Sequence, residues 1–226
     1  MPRSKPFSGP GDRRIKRALC IVAHPDDIEF FCGGTVLLLT DRGVAVDFVL
    51  VTSGDKGARD PKLSQADMVE LREEEQRRAA VVLGAAEVRF LRELDAEVVD
   101  SLGLRGALVR EIRLTRPQVL LTFDPLPGYR QHPDHRVVGR VALDAAWPCA
   151  RDRLSFPTPG LDAHETAEAW CFGGPDPDLV VDVASVLERK IDARLEHRSQ
   201  TRYAPALRQR WRRTGGFERF KQVDLR

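Results

Sequence analysis

The feature that most constrains the fold is an alternation of short apolar segments with helical ones. Buried strands are predicted at 18–23, 45–52, 88–91, 119–123, 169–172 and 179–183, and helices at 35–41, 64–83, 104–115, 133–146, 184–198 and 205–213. Apolar strands separated by helices are typical of a parallel sheet that is covered on both faces. The pattern therefore predicts an α/β chain with a doubly wound, mostly parallel sheet.

Composition narrows the class of protein. The 226 residues are 42% hydrophobic and 31% charged, which excludes a disordered chain, a collagen and a coiled coil. The formal net charge of +2 predicts neither a nucleic-acid nor a membrane partner. No apolar run reaches the roughly 18 residues that a membrane span needs, and no signal segment is evident. The four cysteines contain no C-x-x-C pair, so we expect free thiols and a cytoplasmic location.

Charge and composition also suggest how the chain is divided. Residues 1–17 are basic and rich in Pro, Ser and Gly, and we expect a mobile head there. Residues 18–200 carry the strand and helix signals and form one domain. Residues 201–226 form a basic C-terminal tail or helix, which we interpret as solvated or as an oligomer contact, so a homo-oligomer is a possible assembly.

The expected strand order places two loops together. A doubly wound sheet commonly has the order 3-2-1-4-5, in which strands one and four are neighbours and the order reverses between them. Ligands bind beyond the carboxyl ends of the strands at such a point. The loops after Ala23 and after Phe123 are therefore where we expect chemistry.

Both of these loops carry a His-Pro-Asp segment. One runs from His24 through Asp26 and Asp27, and the other from His132 through Asp134 to His135. Catalytic zinc commonly takes three protein ligands from His, Asp and Glu and keeps one position open. We predict His24, Asp27 and His135 as the metal ligands, with Asp26 beside them as the general base for an attacking water.

The remaining residues of the second loop have predicted roles as well. His132 lies one turn before His135, where it can stabilise a developing oxyanion or protonate the leaving amine. Asp134 can accept a hydrogen bond from His132 and hold its orientation. Each segment alone is equally well explained as a helix cap or a satisfied histidine. Two such segments at neighbouring strand ends favour a metal site.

These motifs resemble those of the PIG-L / LmbE-like family of metal-dependent N-deacetylases. The similarity spans residues 18–200. The matching segments are A-H-P-D-D-x-E followed by G-G-T, T-S-G-D-K-G at 52–57, the L-R-E-E-E helix with its A-A and L-G pairs, H-P-D-H, and Lys190 with H-R-S-Q at 197–200. The resemblance implies a Rossmann-like fold, one zinc ion and hydrolysis of an N-acetyl group on an amino sugar. It places His24, Asp27 and His135 as ligands, Asp26 as base and His132 as the electrophilic histidine.

The resemblance also suggests substrate contacts. Arg72 matches an arginine that reaches the substrate, although an exposed pair with Glu75 on a charged helix explains it too. Tyr129 corresponds to a tyrosine that binds the oxyanion in some members, but here its spacing from His132 is one residue longer. Arg130 in the same loop can contact an anionic or polyhydroxyl substrate. Gly33 and Gly34 are interpreted as close packing of a helix on the sheet.

Several alternatives remain at this stage. The same site can cleave a larger amide of a sugar or thiol conjugate, and its His₂Asp ligand set can hold Fe²⁺ or Co²⁺ instead of zinc. A binding protein without catalysis would not need both Asp26 and His132. Arginines interleaved with Trp211 and Phe217 permit nucleic-acid contacts, but a solvated helix is the favoured interpretation.

Overall fold

A seven-stranded sheet forms the centre of the protein. The computed structural model describes residues 7–58, 60–126, 131–201 and 203–226. The strands are β1 (Arg17–Val22), β2 (Ala45–Thr52), β3 (Glu87–Glu93), β4 (Val119–Phe123), β5 (Glu168–Phe172), β6 (Leu179–Asp182) and β7 (Phe217–Asp224). Their order is β3-β2-β1-β4-β5-β7-β6, and β1 to β5 pair in parallel. The predicted mostly parallel sheet, with β1 beside β4, is confirmed.

The helices pack around this sheet in two groups. They are α1 (Asp27–Phe31), α2 (Gly33–Thr40), α3 (Gln65–Leu83), α4 (Leu102–Thr115), α5 (Pro133–Asp144), α6 (Leu187–Leu195) and α7 (Ala204–Thr214). Helices α1, α2 and α3 contact α6, whereas α4 contacts α5. Helix α3 begins with the predicted capping box of Ser64 and Asp67 and ends at Gly84, whose φ of 73° suits glycine. Among the described residues, no helix combines the length and apolarity that crossing a bilayer requires.

Aromatic side chains fill the core between these layers. The largest fully buried ones are Phe48, Phe123, Trp170, Phe172 and Phe220. A Cβ added at Gly34 would lie 2.6 Å from the Val183 side chain, so only glycine allows α2 to approach this closely. This close approach supports, at Gly34, the packing role expected of Gly33 and Gly34.

Both ends of the chain are more closely tied to the sheet than the sequence suggests. Phe7 and Ile15 are buried, and the Phe7 backbone N–H donates to Glu168 Oε1 at 2.7 Å. The described part of the head, from residue 7 onward, therefore packs against the sheet. The basic tail contains α7 as predicted, but it continues into β7, which lies antiparallel between β5 and β6. The end of the tail is thus a strand of the same sheet.

One buried ion pair ties β7 to the helices. Glu218 accepts hydrogen bonds from Lys190 Nζ at 2.6 Å and from the backbone N–H groups of Gly34 and Thr35 at 2.8 and 2.7 Å. Its carboxylate therefore sits at the N-terminus of α2, where the helix dipole favours negative charge. The side chains of Lys190 and Glu218 are only 4% and 2% exposed, so water does not compensate either charge.

We expect Lys190→Met to destabilise the protein by about 3–5 kcal/mol, because it leaves the Glu218 carboxylate buried without its cation. Urea unfolding followed by circular dichroism measures the change. Arg212→Ala, which breaks an exposed pair with Glu188, is the matched control and should cost less than about 1 kcal/mol. Equal midpoints for the two variants would contradict this role of Lys190.

Candidate metal centre and catalytic site

The predicted site residues come together where β1 and β4 end. His24 follows β1, and Asp27 opens α1. His132 is the N-cap of α5, with Pro133 in the first turn, so His135 lies about one turn further on. Because β1 and β4 are paired in parallel, both loops emerge at the same edge of the sheet. The sheet topology alone therefore brings these two distant segments into contact.

Donor atoms of three side chains face one another in this position. His24 Nδ1 lies 3.2 Å from His135 Nε2, and His135 Nε2 lies 3.1 Å from Asp27 Oδ1. His24 Nδ1 is 3.5 Å from Asp27 Oδ2. His24 and Asp27 are buried, and the His135 side chain is 13% exposed. Two imidazole nitrogens and one carboxylate thus form a compact cluster with limited access to solvent.

The cluster fits a tetrahedral metal ion. Ligand atoms about 2.0–2.1 Å from a zinc ion in tetrahedral geometry are separated by about 3.3 Å. The observed separations of 3.1, 3.2 and 3.5 Å bracket this value. Two imidazole nitrogens at such a distance cannot both donate, whereas both can direct a lone pair at a shared cation. The donor set of this group is therefore suited to a metal with one further position.

A second group of acids lies behind His24. Its Nε2 is 3.0 Å from Asp134 Oδ2 and 3.1 Å from Asp95 Oδ1. His24, Asp95, His132 and Asp134 thus also offer ligand atoms that lie close together. Metal-ligating histidines usually donate their other ring N–H to a carboxylate, which fixes the tautomer. This arrangement assigns His24 Nδ1 to the metal side and Nε2 to the supporting carboxylates.

The electrostatics of the cluster favour a cation. Burial alone lowers the pKa of His24, but hydrogen bonds with Asp134, Asp27 and Asp95 outweigh it and raise that pKa to about 12. Burial likewise raises the pKa of Asp27, but His135 and His24 hold it well below its usual range. Positive charge is therefore strongly stabilised between these side chains, whether a proton or a metal ion supplies it.

Asp26 lies beside this cluster in a strained conformation. Its φ of 95° is in the left-handed region, which non-glycine residues rarely adopt. Its backbone N–H donates to Gln76 Oε1 at 3.0 Å, and its Oδ2 lies 3.2 Å from Arg194 Nη2. Burial raises the pKa of Asp26, and the neighbouring guanidinium of Arg194, which lowers it, offsets this rise only in part. A carboxylate with a raised pKa and a fixed orientation suits proton transfer near neutral pH.

His132 and Asp134 are placed differently from our expectation. Asp134 Oδ2 is 3.8 Å from His132 Nδ1, beyond hydrogen-bond distance, and instead accepts from His24 Nε2 and from the Ala96 N–H at 2.7 Å. His132 Nδ1 accepts from the Asp134 backbone N–H at 3.2 Å, as an N-cap does. The carboxylate of Asp134 therefore orients His24 rather than His132.

The cap also determines the protonation of His132. Because Nδ1 accepts a hydrogen bond, a neutral His132 carries its proton on Nε2. Burial and the neighbouring His24 lower the pKa of His132 below its ordinary value. The structure thus favours a neutral imidazole that donates from Nε2 over the imidazolium that the sequence suggested.

Arg72 is buried among the site loops. Its Nη2 donates to the Pro25 carbonyl at 2.7 Å and its Nη1 to the Gly54 carbonyl at 3.2 Å. Its guanidinium also lies 3.9 Å from Asp26 and from Asp95. The alternative of an exposed pair with Glu75 is wrong, since Glu75 is buried and accepts from the backbone N–H and hydroxyl of Ser199.

Two of the predicted substrate contacts, Tyr129 and Arg130, lie outside the described residues. In the tail, Arg208 pairs with Glu188 and Asp192, and Arg212 pairs with Glu188. These intramolecular pairs reduce the positive charge available to nucleic acid, consistent with a solvated helix.

Sequence reasoning missed two residues of the site. Asp95 contacts His24 and lies two residues after β3, so its position at the carboxyl edge of the sheet is a signal that could have identified it. Arg194 contacts Asp26 from α6, which is far away in the sequence. No local pattern marks Arg194, because its role depends on how α6 packs against α1.

The fold and the site together define a mostly parallel α/β protein with a His₂Asp group able to hold a metal ion and an adjacent carboxylate. The family described as PIG-L, GlcNAc-PI de-N-acetylase, matches residues 19–146. The diacetylchitobiose deacetylase of Thermococcus kodakarensis is 34% identical over 82% of this chain and 70% of its own length. The chain therefore belongs to the PIG-L family, and it is an enzyme of the N-deacetylase class.

Further relatives agree on the family and on the fold. A probable N-acetyl-α-D-glucosaminyl L-malate deacetylase 2 of Bacillus cereus is 29% identical over 82% of this chain and 84% of its own. The solved N,N'-diacetylchitobiose deacetylase of Pyrococcus horikoshii superimposes with a TM-score of 0.86 at 29% identity, covering 93% of this chain and 84% of that one. A 4-carboxy-2-hydroxymuconate hydratase of Pseudomonas putida shares the fold, with a TM-score of 0.79 at 22% identity over 93% of this chain and 97% of that one. The fold alone thus does not decide the reaction.

Proposed function

We propose that this protein is a zinc-dependent hydrolase that removes the N-acetyl group from a GlcNAc-type amino sugar, giving the free amine and acetate. The observation that carries this proposal is the convergence of His24 Nδ1, His135 Nε2 and the Asp27 carboxylate within 3.1–3.5 Å of one another. Relatives named as deacetylases of acetamido sugars support the substrate class.

His24, Asp27 and His135 would hold the zinc ion. Bound there, zinc polarises a carbonyl oxygen and makes a water molecule a stronger nucleophile at neutral pH. Asp134 and Asp95 hold the His24 ring by accepting from its Nε2, so the ring cannot rotate away. His135 is fixed by stacking on Phe123, with ring centroids 3.9 Å apart.

Asp26 is the general base in this proposal. It accepts a proton from the attacking water, and its strained backbone and contact with Arg194 keep the carboxylate in one orientation. The tetrahedral oxyanion forms on the side of His132, whose Nε2–H donates to it. Asp26, which holds the proton taken from the water, then returns it to the leaving amine, while His132 keeps its Nε2 proton as the donor to the oxyanion.

The sugar ring itself requires polar contacts near this centre. Arg72 and Asp95 lie 3.9 Å apart beside Asp26 and offer one donor group and one acceptor group for ring hydroxyls. We assign Arg72 to substrate binding, together with Tyr129 and Arg130 of the loop before His132. Four free cysteines, three of them buried, fit a reducing location, and we propose the cytoplasm.

Acetate release tests the reaction class. Zinc-loaded protein is incubated with N-acetylglucosamine glycosides, and both acetate and free amine are quantified. Equal amounts of the two products are expected. If a protein with one zinc per chain releases no acetate from any of them but cleaves a larger conjugate amide, the alternative amidase function holds instead.

His132→Ala should lower kcat by about 10²–10³-fold while zinc remains bound, because it removes one donor to the oxyanion and no ligand. Acetate-release kinetics and metal analysis on the same sample measure both effects. His132→Gln, which retains an N–H donor, should recover part of the lost rate. Near-normal turnover of the alanine variant would show that His132 has no such role.

A further inference from the structure

Three buried polar side chains lead to Asp26, and the mechanism above does not use them. They are Gln76 of α3, Glu29 of α1 and His197, which follows α6, and each is 0% exposed. We name these three side chains the Gln76 network. Apolar side chains of similar volume would fill the same space at a lower cost in desolvation. The network therefore calls for a role beyond filling the core.

The network is connected to the backbone of Asp26. Gln76 Oε1 accepts from the Asp26 N–H at 3.0 Å, and Gln76 Nε2 donates to Glu29 Oε1 at 2.8 Å. His197 Nε2 lies 3.2 Å from the other oxygen of Glu29, Oε2. The three side chains thus form a continuous row of polar contacts that ends at the proposed base.

Glu29 determines which way the amide of Gln76 points. A carboxylate oxygen accepts, so Gln76 turns its Nε2 towards Glu29 and its Oε1 towards Asp26. The reversed amide would place its NH₂ group against the Asp26 N–H, leaving two donors without an acceptor in a buried place. Glu29 thus secures the acceptor of the Asp26 N–H, although Gln76 makes the hydrogen bond itself.

His197 holds the Glu29 carboxylate from its other side. Neither ring nitrogen of His197 makes a well-aligned hydrogen bond within the described part of the chain, so the approach to Glu29 is an electrostatic contact. The segment that carries His197 is fastened to α3, because the backbone N–H and hydroxyl of Ser199 donate to Glu75 at 2.8 and 2.6 Å. Since Glu75 directly precedes Gln76, both ends of the network are fixed to the same turn of α3.

Asp26 needs such support because its backbone is strained. Its φ of 95° lies in the left-handed region, which a non-glycine residue keeps only when its surroundings over-determine it. Gln76 holds the backbone N–H, and Arg194 Nη2 lies 3.2 Å from the carboxylate. Loss of the backbone bond would let the residue relax and would displace its carboxylate. A displacement of about 1 Å can cost about 10²-fold in rate.

We propose that Gln76, Glu29 and His197 are positioning residues that hold Asp26 in its left-handed conformation and so aim its carboxylate at the attacking water. This inference rests on the proposed function, since it requires Asp26 to be the base. A network that served stability alone would change the unfolding midpoint of the protein but not the kcat of its folded form.

A double-mutant cycle on zinc-loaded protein tests this role. Gln76→Met removes the amide at similar volume and should lower kcat about 10–100-fold, with KM within about twofold and one zinc ion per chain. In the Asp26→Asn background the same change should lower kcat by less than about twofold, because the group that it positions is already lost. Equal factors in the two backgrounds would overturn the proposal.

Gln118→Met is the matched control. Gln118 Oε1 accepts from the backbone N–H groups of Lys16 and Arg17 at 3.0 and 2.8 Å, at the opposite end of β1 from His24. The substitution therefore removes the same kind of bond away from the site. It should lower the unfolding midpoint in urea and keep the wild-type kcat. A loss of kcat as large as that of Gln76→Met would overturn the proposal, because lost stability alone would then explain both.

Two changes at Glu29 carry the test even if Gln76→Met does not fold. Glu29→Gln keeps an acceptor for Gln76 Nε2 and should keep kcat within about threefold of the wild type, whereas Glu29→Met should lose about as much as Gln76→Met. Equal kcat values for the two Glu29 variants would overturn the role of the carboxylate. His197→Leu should lower kcat by a smaller factor, and a wild-type kcat would remove His197 from the proposal.

Hydrogen exchange of the Asp26 amide measures the positioning without turnover. Its rate, followed by NMR on zinc-loaded protein, should rise at least about tenfold in Gln76→Met and in Glu29→Met and stay unchanged in Gln118→Met. If the wild type releases no acetate but this rise occurs, the network holds Asp26 and only the proposed function fails. A wild-type exchange rate in both variants would overturn the network, whatever the activity.

Discussion

Asp26→Asn should lower kcat for acetate release by about 10²–10⁴-fold while the protein keeps one zinc ion per chain. Asparagine has nearly the shape of aspartate, so the αL backbone and the contact with Arg194 are preserved in large part. It cannot accept the proton of the attacking water. Steady-state kinetics with metal analysis of the same preparation separate the loss of the base from the loss of the metal.

The control for this variant is Asp41→Asn. Asp41 pairs with Arg189 on the surface and has no contact with the site in the part of the chain that the structure describes. Its kcat should equal that of the wild type. If Asp26→Asn retains more than about a tenth of wild-type turnover, another group is the base.

His135→Ala should lose the metal ion and, with it, essentially all activity. His135 Nε2 contacts both Asp27 Oδ1 and His24 Nδ1, so its removal opens the cluster on one side. Two remaining ligands hold zinc far more weakly than three. Metal analysis after dialysis should find well under one zinc ion per chain, and circular dichroism should show an intact fold.

His164→Ala provides the comparison. This histidine is distant in sequence from both loops, and its Nε2 lies 2.7 Å from the Pro117 carbonyl. It should keep its metal and its activity. Full zinc occupancy in His135→Ala would mean that a different set of side chains holds the ion.

Much of the fold follows from local sequence patterns. The strands β1, β2 and β4 are mostly apolar, and helix α3 has both a capping box and a terminal glycine, so each element is predicted by its own residues. The neighbouring positions of β1 and β4 follow from the common order of doubly wound sheets. The location of the site then follows as well.

Strand β7 could not be predicted in the same way. Its buried positions include Glu218 as well as Phe220, so an acidic residue interrupts the alternation of apolar and polar side chains. That carboxylate is stabilised by Lys190 and by the N-terminus of α2, which are both distant in sequence. A pattern that depends on such partners is visible only in the folded protein.

The candidate site likewise combines residues that local sequence predicts with residues that only the folded protein reveals. His24, Asp27 and His135 lie in two short motifs that follow β1 and β4 along the chain, and the sequence alone predicts them as ligands. Asp95 and Arg194 act through tertiary contacts with His24 and Asp26. The position of Asp95 just after β3 is a signal in the sequence, whereas no local pattern marks Arg194. The sequence also predicted His132 as the partner of the Asp134 carboxylate, whereas the partner in the structure is His24. The sequence does not show which side of the His24 ring is open to a carboxylate.

The location of the metal ion is the central claim, because His24 belongs to two groups that could hold one. Anomalous diffraction at the zinc absorption edge from crystals of the zinc-loaded protein locates the ion directly. We predict one peak among His24 Nδ1, His135 Nε2 and Asp27, with Asp26 beside it and no peak on the other side of the His24 ring. A peak among His24 Nε2, Asp95, His132 and Asp134 would contradict the assignment of the ligands, and with it the roles of Asp26 and His132.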